Sequence, residues 1–246
     1  MIALVRKPSP RLAEGIVTHI DRTPVDVDLA MRQHDAYRQA LSDAGWAVVE
    51  VPSADDCPDS VFIEDALVVV GELAILTRPG APERRGEIAG AEQAARELGL
   101  EIARIEEPGT LDGGDVLQVG DTIYVGRGGR TNAEGIRQLR KLTGKTVVPV
   151  KLTDVLHLKS AITALPDGTF LAQQNPGVFP VVREVEEEAG SHVVLLGADE
   201  VLISASAPKT AAELEDLGFR TRIVDISEFE KLEGCVTCLS VLVEAR

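Results

Sequence analysis

The sequence predicts an α/β fold in which five ββαβ units close into a pseudo-symmetric, five-bladed propeller. Apolar strands alternate with amphipathic helices, and the order of two strands, a helix and a strand recurs about every 45 to 50 residues. In addition, the chain begins with an apolar strand, 2–6, and ends with another, 238–244, that no helix follows. Pairing these two ends would complete a fifth unit and close the ring.

Glycine and proline separate the elements along the chain. Gly45 and Gly99 each follow a predicted helix, where glycine readily adopts the left-handed conformation that ends one. The predicted strands are 2–6, 46–52, 66–70, 73–77, 100–105, 115–119, 122–126, 146–152, 160–166, 169–173, 192–197, 200–206, 219–226 and 238–244. The predicted helices are 26–44, 79–99, 131–142, 180–189 and 209–218. The stretch 170–205 fits the repeat least well.

The main alternative fold is a doubly wound parallel sheet. The pattern places two strands before each helix, which requires many antiparallel pairs, and a doubly wound sheet lacks them. No low-complexity linker or break in composition divides the 246 residues. We therefore expect a single catalytic domain over 1–246.

Composition and charge indicate which classes of binding partner are expected and which are not. The chain has 40 acidic and 25 basic side chains, a net charge of −15, and 44% hydrophobic residues, which is typical of a globular protein. The acidic excess argues against a nucleic acid or an anionic membrane as partner, because both would be repelled. It is compatible with a small cationic ligand, although on composition alone charge that serves only solubility is the favoured explanation.

The cysteine count and the chain start bear on location. Three cysteines cannot form a disulfide framework, and an odd number is typical of a reducing compartment. No apolar run approaches the roughly 20 residues of a membrane helix, and the start MIALVRKPSP has no signal-peptide core. We expect a cytoplasmic protein, and the sequence leaves open whether it forms a homodimer.

The repeat places chemically active residues at equivalent positions. Glu64 and Asp65 precede the first strand of one unit, Asp112 that of the next and His157 that of the third, while Cys238 opens the strand of the ring-closing unit. Equivalent points of a ring face its axis, so these side chains are expected to meet in one central cavity. A cysteine, a histidine and acids drawn from distant segments are typical of nucleophilic catalysis.

Each of these residues also has a structural interpretation. His157 is flanked by leucines and could be a core histidine. Cys235 and Cys238 form a C-x-x-C motif, which could be a redox pair or half of a zinc site. Zinc would need two further ligands at suitable spacing, and redox pairs usually open a helix, whereas a predicted strand follows Cys238. Gly113 and Gly114 could serve a turn alone or could bring the backbone close to a ligand, but they form no phosphate loop.

Six ordered motifs together resemble the dimethylarginine dimethylaminohydrolase family, within the pentein superfamily of guanidino-group-modifying enzymes. They are SVFIEDALVV (60–69), TRPGAPERR (77–85), TLDGGDVL (110–117), VGRGGRTN (125–132), LHLKS (156–160) and TCLSVLV (237–243). The resemblance implies the pentein ββαβ propeller and hydrolysis of Nω-methylated L-arginine, such as asymmetric dimethylarginine or monomethylarginine, to L-citrulline and an alkylamine. It implies neither a metal nor an organic cofactor.

The resemblance also implies roles for individual residues. Cys238 would be the nucleophile, His157 the general acid/base and Asp112 the group that orients the histidine. Glu64 and Asp65 would bind the guanidinium of the substrate. Its amino and carboxylate groups would be bound by Asp59, Arg78 and Arg130. The backbone carbonyls of Leu4 and Leu232 would complete the pocket. Glu233 stands next to the reacting end, where many relatives have Asp, and the segment 7–15 would form a lid.

Three other functions remain as alternatives. Arginine deiminase-like chemistry is disfavoured because those enzymes carry an extra helical domain and tend to have Asp two residues after the histidine, where this chain has Lys159. A non-catalytic pentein that acts as a binding module would lack the pair of Cys238 and His157. A thiol redox protein built on Cys235 and Cys238 is the third alternative.

Overall fold

Short strands and four longer helices make up a computed structural model that describes residues 1–173 and 177–244. The strands are β1 (Ile2–Val5), β2 (Ala47–Glu50), β3 (Leu67–Val70), β4 (Leu73–Leu76), β5 (Glu101–Arg104), β6 (Val116–Val119), β7 (Thr122–Arg127), β8 (Thr146–Lys151), β9 (Ile162–Ala164), β10 (Phe170–Ala172), β11 (Val182–Glu184), β12 (Val193–Leu195), β13 (Glu200–Ser204), β14 (Arg220–Val224) and β15 (Val241–Val243). The helices are α1 (Val27–Asp43), α2 (Ile88–Glu97), α3 (Ala133–Thr143), α4 (Pro208–Asp216) and the single turn α5 (Ser227–Glu230).

These strands form five three-stranded sheets of one repeated design. The sheets are β15-β1-β2, β3-β4-β5, β6-β7-β8, β9-β10-β11 and β12-β13-β14. In each sheet the first two strands are antiparallel and the third adds parallel to the second. The two chain ends pair in the register Ile2 with Val243 and Leu4 with Val241. The predicted five-bladed propeller, closed by its terminal strands, is confirmed.

Five buried apolar clusters lie between neighbouring sheets and hold the ring together. One joins β6 to β10 and contains Phe170, whose ring packs at 4.6 Å from that of Phe179. The cluster that contains Val5, Val194 and Leu202 joins the last sheet to the first, as ring closure requires. Each fully buried aliphatic or aromatic side chain stabilises the fold by about 1.5–3 kcal/mol. Because these side chains are buried between two sheets, every sheet depends on both of its neighbours for this stabilisation.

Helix ends follow the sequence signals. The Asn132 side chain accepts a hydrogen bond from the Gly135 amide at 2.8 Å and begins α3, and Gly144 ends this helix with a positive φ of 63°. Asp26 caps α1 in the same way through the Leu29 amide. None of the helices among the described residues is long and apolar enough to cross a membrane.

Two predicted elements are wrong. The helix predicted over 180–189 is instead strand β11 followed by a 3-10 turn, Glu188–Ser191, because β11 adds to β10 in parallel. The connection between these strands has no helix among its described residues, so the fourth unit departs from the ββαβ pattern. Cys238 does not open the last strand but lies in a 3-10 turn, Val236–Leu239, that precedes β15.

Candidate active site

Short 3-10 turns precede the first strands of the sheets and meet at the centre of the ring. Turn Ile63–Ala66 contacts both Val236–Leu239 and Gly113–Asp115, and Gly113–Asp115 also contacts Leu158–Ser160. Glu64, Asp65 and Cys238 lie within these turns, while Asp112 and His157 are the residues directly before theirs. The predicted convergence of these five side chains follows from this arrangement.

Gly113 and Gly114 allow the turns to approach one another. A Cβ at Gly113 would overlap the carbonyl oxygen of Glu64, and one at Gly114 would lie 2.7 Å from His157 Nδ1 and 2.8 Å from Asp65 Oδ1. The two glycines therefore belong to a turn whose backbone packs closely against neighbouring turns of the protein itself.

His157 is buried between carboxylates. Its Nε2 lies 3.1 Å from Asp112 Oδ2, and its Nδ1 lies 3.8 Å from Asp65 Oδ1. Burial opposes a charge on the imidazole, but Asp65, Asp112 and Asp115 outweigh it and raise the pKa of His157 to about 10. The ring is therefore a cation at neutral pH and can donate a proton.

Asp65 is bound to a buried arginine. Arg84 Nη1 donates to Asp65 Oδ2 at 2.6 Å, and Nε and Nη2 of the same guanidinium donate to the two carboxylate oxygens of Glu87 at 2.8 and 2.9 Å. Burial opposes ionisation of Asp65, yet His157 and Arg84 hold its pKa well below the usual range. Asp65 is thus a permanent anion beside the histidine.

Glu64 lies beside the turn Val236–Leu239. Its Oε1 accepts from Lys159 Nζ at 2.5 Å, and its Oε2 accepts from Thr237 Oγ1 at 3.1 Å. Burial raises the pKa of Glu64 to about 7, even though Lys159 opposes the shift. The protonation state of this carboxyl therefore changes near neutral pH.

Cys238 is paired with a second cysteine. The Cys235 amide donates to Cys238 Sγ at 3.4 Å, and the two sulfur atoms lie 3.2 Å apart without a disulfide between them. The hydrogen bond from Cys235, burial and the nearby carboxylates of Glu64 and Asp65 raise the pKa of Cys238. In the free protein this sulfur is therefore a thiol at neutral pH.

A cavity of about 20 Å³ lies between these groups. Cys238 and His157 line it, together with Ile16, Asp59, Phe62, Asp65, Arg84, Arg130, Leu156, Leu232, Glu233 and Gly234. Such a volume holds about one water molecule, so an amino acid can enter only if part of the lining moves.

The segment 16–19, which we call the strap, covers this cavity. The Ile16 amide donates to both carboxylate oxygens of Asp59 at 3.1 and 3.2 Å, and the amides of Thr18 and His19 donate to Glu233. Gly15 passes so close to Asp59 that a Cβ would lie 2.9 Å from its Oδ1. The covering segment therefore directly follows the predicted lid, 7–15.

Two predicted site residues lie away from the cavity. Arg78 donates instead to the carbonyl of Gly109 at 3.3 Å and to Glu107 at 3.1 Å, near the surface. Leu4 sits in the middle of β1, paired with strands on both sides, so its backbone belongs to the sheet. Asp59, Asp65, Arg130, Leu232 and Glu233 do line the cavity, whereas Glu64 is not part of this lining. Glu64 instead accepts a hydrogen bond from the hydroxyl of Thr237, the residue before Cys238.

Sequence reasoning missed Arg84, Asp115 and Ile16. The stretch 79–99 was predicted to be one helix, which made Arg84 look like a surface residue, whereas a 3-10 turn, Pro82–Glu87, directs it inward. A glutamate three residues after this arginine was the available signal. Asp115 accepts from the Leu158 amide at 3.0 Å and so fixes the turn that carries His157.

Asp65, Asp112 and His157 have ligand atoms within 4.8 Å of one another, close enough for a metal ion. The same atoms already have protein partners, however. Arg84 binds Asp65, the Gly80 amide donates to Asp112 Oδ1 at 2.8 Å, and Arg130 Nη1 lies 3.8 Å from Asp112 Oδ2. A metal ion would have to displace two arginines from these oxygens, so the donor set is better suited to proton transfer.

Several known proteins resemble this chain in sequence and in fold. No protein-family model matches the chain. The chain is 60% identical to an N(G),N(G)-dimethylarginine dimethylaminohydrolase of Streptomyces coelicolor, over 97% of this chain and 95% of that one, and 34% identical to that of Pseudomonas aeruginosa, over 97% of both. The crystal structure of a Cys-to-Ser mutant of the P. aeruginosa enzyme, complexed with citrulline, superposes with a TM-score of 0.90 over 97% of both chains, at 34% identity. This chain belongs to the dimethylarginine dimethylaminohydrolase family.

Proposed function

We propose that the protein hydrolyses Nω-methylated L-arginine, such as asymmetric dimethylarginine or monomethylarginine, to L-citrulline and an alkylamine. Cys238 acts as the nucleophile and His157 as the general acid/base. The observation that carries this proposal is that a cysteine and a cationic histidine line one small, acid-rich cavity. The relatives' names and the citrulline complex support the same reaction.

The charges around the cavity fit a substrate with a cation at one end and an amino-acid group at the other. Asp65 and Glu64 orient the guanidinium by charge-assisted hydrogen bonds. Asp59 receives the amino group once the Ile16 amide moves away, and Arg130 binds the carboxylate. Arg84 lies in the cavity wall and, through its contact with Asp65, holds that carboxylate in place for the guanidinium. The carbonyl of Leu232 contributes from the cavity wall.

The substrate itself activates the nucleophile. Neighbouring carboxylates raise the pKa of Cys238, so the free protein holds a thiol. A guanidinium bound beside the sulfur offsets these negative charges and favours the thiolate. The cysteine therefore becomes reactive when a cationic substrate is in place.

The reaction then proceeds in two halves. The Cys238 thiolate attacks the guanidino carbon and forms a C–S bond, His157 gives its proton to the alkylamine nitrogen, and the C–N bond breaks to leave a thiouronium-type intermediate. His157, now neutral, takes a proton from water, which adds to the same carbon. The added oxygen then loses its remaining proton to solvent, the C–S bond breaks, and citrulline leaves with the thiolate restored. Asp112 holds the imidazole in position throughout.

The strap must open for each turnover. Its amides release Asp59 and Glu233 when substrate enters. In this proposal, Glu233 therefore holds the strap closed in the free protein. The wider groove outside, of about 750 Å³ and with Glu233 and His19 in its wall, is the entry path.

The remaining expectations follow from the same site. We propose one catalytic domain over 1–246, since the site draws on turns from four sheets and no part of the ring holds it alone. We expect neither metal nor cofactor, so a chelator should leave the activity unchanged. We keep the cytoplasm as the proposed location on the grounds of the odd cysteine count, and light scattering would decide whether the protein is a homodimer.

Citrulline formation from asymmetric dimethylarginine, monomethylarginine and arginine tests the proposal. Wild-type protein should turn over a methylated arginine most efficiently, and Cys238→Ser should form no citrulline. Cys57→Ser is the matched control, because Cys57 lies against the Glu83 carbonyl and outside the cavity. Turnover that survives in Cys238→Ser would overturn the mechanism, and arginine as the best substrate would favour the deiminase alternative.

A further inference from the structure

We propose that Cys235 is a modification site that closes a reversible disulfide with Cys238 when the protein meets a peroxide. The hydrolysis proposed above does not use Cys235. As a buried cysteine it could be a small core residue and nothing more, but three features of its surroundings indicate a chemical role.

The first feature is the distance between the sulfur atoms. Cys235 Sγ lies 3.2 Å from Cys238 Sγ, so the two need to approach by only about 1 Å to reach the bonding distance of a disulfide. No other cysteine offers this geometry, because Cys57 Sγ faces the carbonyl of Glu83 at 3.8 Å.

The second feature is the backbone between them. The Cys238 amide donates to the Cys235 carbonyl at 3.1 Å and closes a tight turn. The ends of such a turn have Cα atoms less than about 7 Å apart, which matches the span that a disulfide bridges. The pair can therefore close without rearrangement of the flanking strand β15.

The third feature is access from outside. Cys235 lines the groove of about 750 Å³, whereas Cys238 lines the cavity beneath the strap. Glu233 and Gly234 belong to both walls, so the two sulfur atoms lie at the boundary between groove and cavity. A small oxidant can enter by the same route as a substrate.

The chemistry needs one peroxide molecule for each disulfide. One thiolate of the pair attacks the peroxide, the O–O bond breaks, and the sulfur becomes a sulfenic acid while water or an alcohol leaves. The second thiol attacks the sulfenic sulfur, the S–S bond forms, and water leaves. Two thiols are oxidised and one peroxide is reduced. A dithiol reverses the reaction by thiol–disulfide exchange.

The disulfide would remove the nucleophile and protect it from further oxidation. The loss of activity rests on the proposed function of Cys238, whereas formation of the disulfide does not. Without Cys235, the sulfenic acid would proceed to the sulfinic and sulfonic acids, which thiols do not reduce.

Peptide mass after oxidation tests the disulfide without an activity assay. The protein is treated with hydrogen peroxide, alkylated and digested with trypsin, which releases both cysteines in the single peptide 232–246. In wild-type protein and in the control Cys57→Ser, this peptide should be two hydrogens lighter and unalkylated, and dithiothreitol should restore two alkylation sites. Added oxygen atoms on the wild-type peptide, without loss of hydrogen, would overturn the proposal.

Recovery of citrulline formation is the second readout. After equal inactivation by peroxide, Cys235→Ser should recover at least about fivefold less of its own initial activity with dithiothreitol than wild type does. Cys235→Ala is tested beside it, with thermal unfolding of both variants, in case the buried hydroxyl prevents folding. Recovery equal to wild type in both variants would refute the resolving role. If the oxidised peptide is two hydrogens lighter but the protein forms no citrulline at all, only the proposed function is contradicted.

Discussion

Replacing Asp112 by asparagine should lower both the pKa of His157 and the rate of turnover. The imidazole Nε2 lies 3.1 Å from Asp112 Oδ2, and burial of both groups keeps water from substituting for the carboxylate. Asp112→Asn keeps the shape of the side chain and an oxygen for the Gly80 amide. It presents a neutral amide to the ring.

The size of the effect follows from the lost charge. A hydrogen bond to a charged group contributes about 1.5–3 kcal/mol, and one pKa unit corresponds to about 1.4 kcal/mol. The pKa of His157, about 10 in the wild type, should therefore fall by about one to two units. Because a positioned acid/base contributes at least about 100-fold to rate, kcat should fall by about that factor at pH 7, while KM changes less than about threefold.

Two measurements check this prediction. Since the pKa of His157 is raised in the folded protein, its contribution to stability is complete below about pH 6.5 and is lost as the pH rises through about 10. Thermal unfolding between these pH values should show that the stability from His157 is lost at a lower pH in Asp112→Asn than in the wild type. Initial rates of citrulline formation give kcat. Asp121→Asn, at an exposed turn, is the control. A wild-type kcat and pH profile in Asp112→Asn would refute the orienting role of Asp112.

Three further substitutions test the surroundings of the site. Arg84→Lys cannot reproduce the bidentate contact with Glu87, so it should lower the free energy of unfolding in urea by about 3 kcal/mol or more. Glu233→Ala frees two amides of the strap, each worth about 1 kcal/mol, so tryptic cleavage after Arg22 should accelerate about 30-fold. Lys159→Met removes the cation that opposes the raised pKa of Glu64, about 7 in the wild type. Because only ionised Glu64 binds a guanidinium well, the fall of kcat/KM on acidification should begin about one pH unit higher in this variant.

Each of these substitutions has a matched control in the same chain. Arg96→Lys alters an exposed pair with Glu92 and should change the free energy of unfolding by less than about 1 kcal/mol. Glu188→Ala, in the wall of the same groove, should leave the cleavage rate unchanged. Lys145→Met should leave the pH profile unchanged. Equal effects in a variant and its control would mean that the contact in question does not have the stated role.

The repeat in the sequence was sufficient to predict the ring, and the exceptions have physical causes. Hydrophobic periodicity and glycine stops are local signals, so nearly all strands and helices were predicted within a few residues. The helix over 180–189 was wrong because the short stretch around Val182 is decided by pairing with β10. Cys238 was placed in a strand because an apolar run follows it, whereas contacts between turns hold it in a 3-10 turn.

The candidate site divides in the same way. Residue type and equivalent position in the repeat were enough to bring together Glu64, Asp65, Asp112, His157 and Cys238. The resemblance to the family was enough to place Arg130 at the cavity but not to show that Arg84 rather than Arg78 reaches it, since that depends on the path of a turn. The orientation of Arg84 is set by the buried carboxylates of Asp65 and Glu87, one of which is distant in sequence.

The sequence by itself therefore determined the five-unit ring, the acidic character of the cavity and the cysteine and histidine within it, because periodicity and residue chemistry are local properties. Only the tertiary structure decided how closely these groups approach. Contacts between segments more than 40 residues apart in sequence bury His157 among three carboxylates, seal the cavity beneath the strap and fix the protonation of the site. Burial and charge proximity set these properties, and both exist only once the ring has closed.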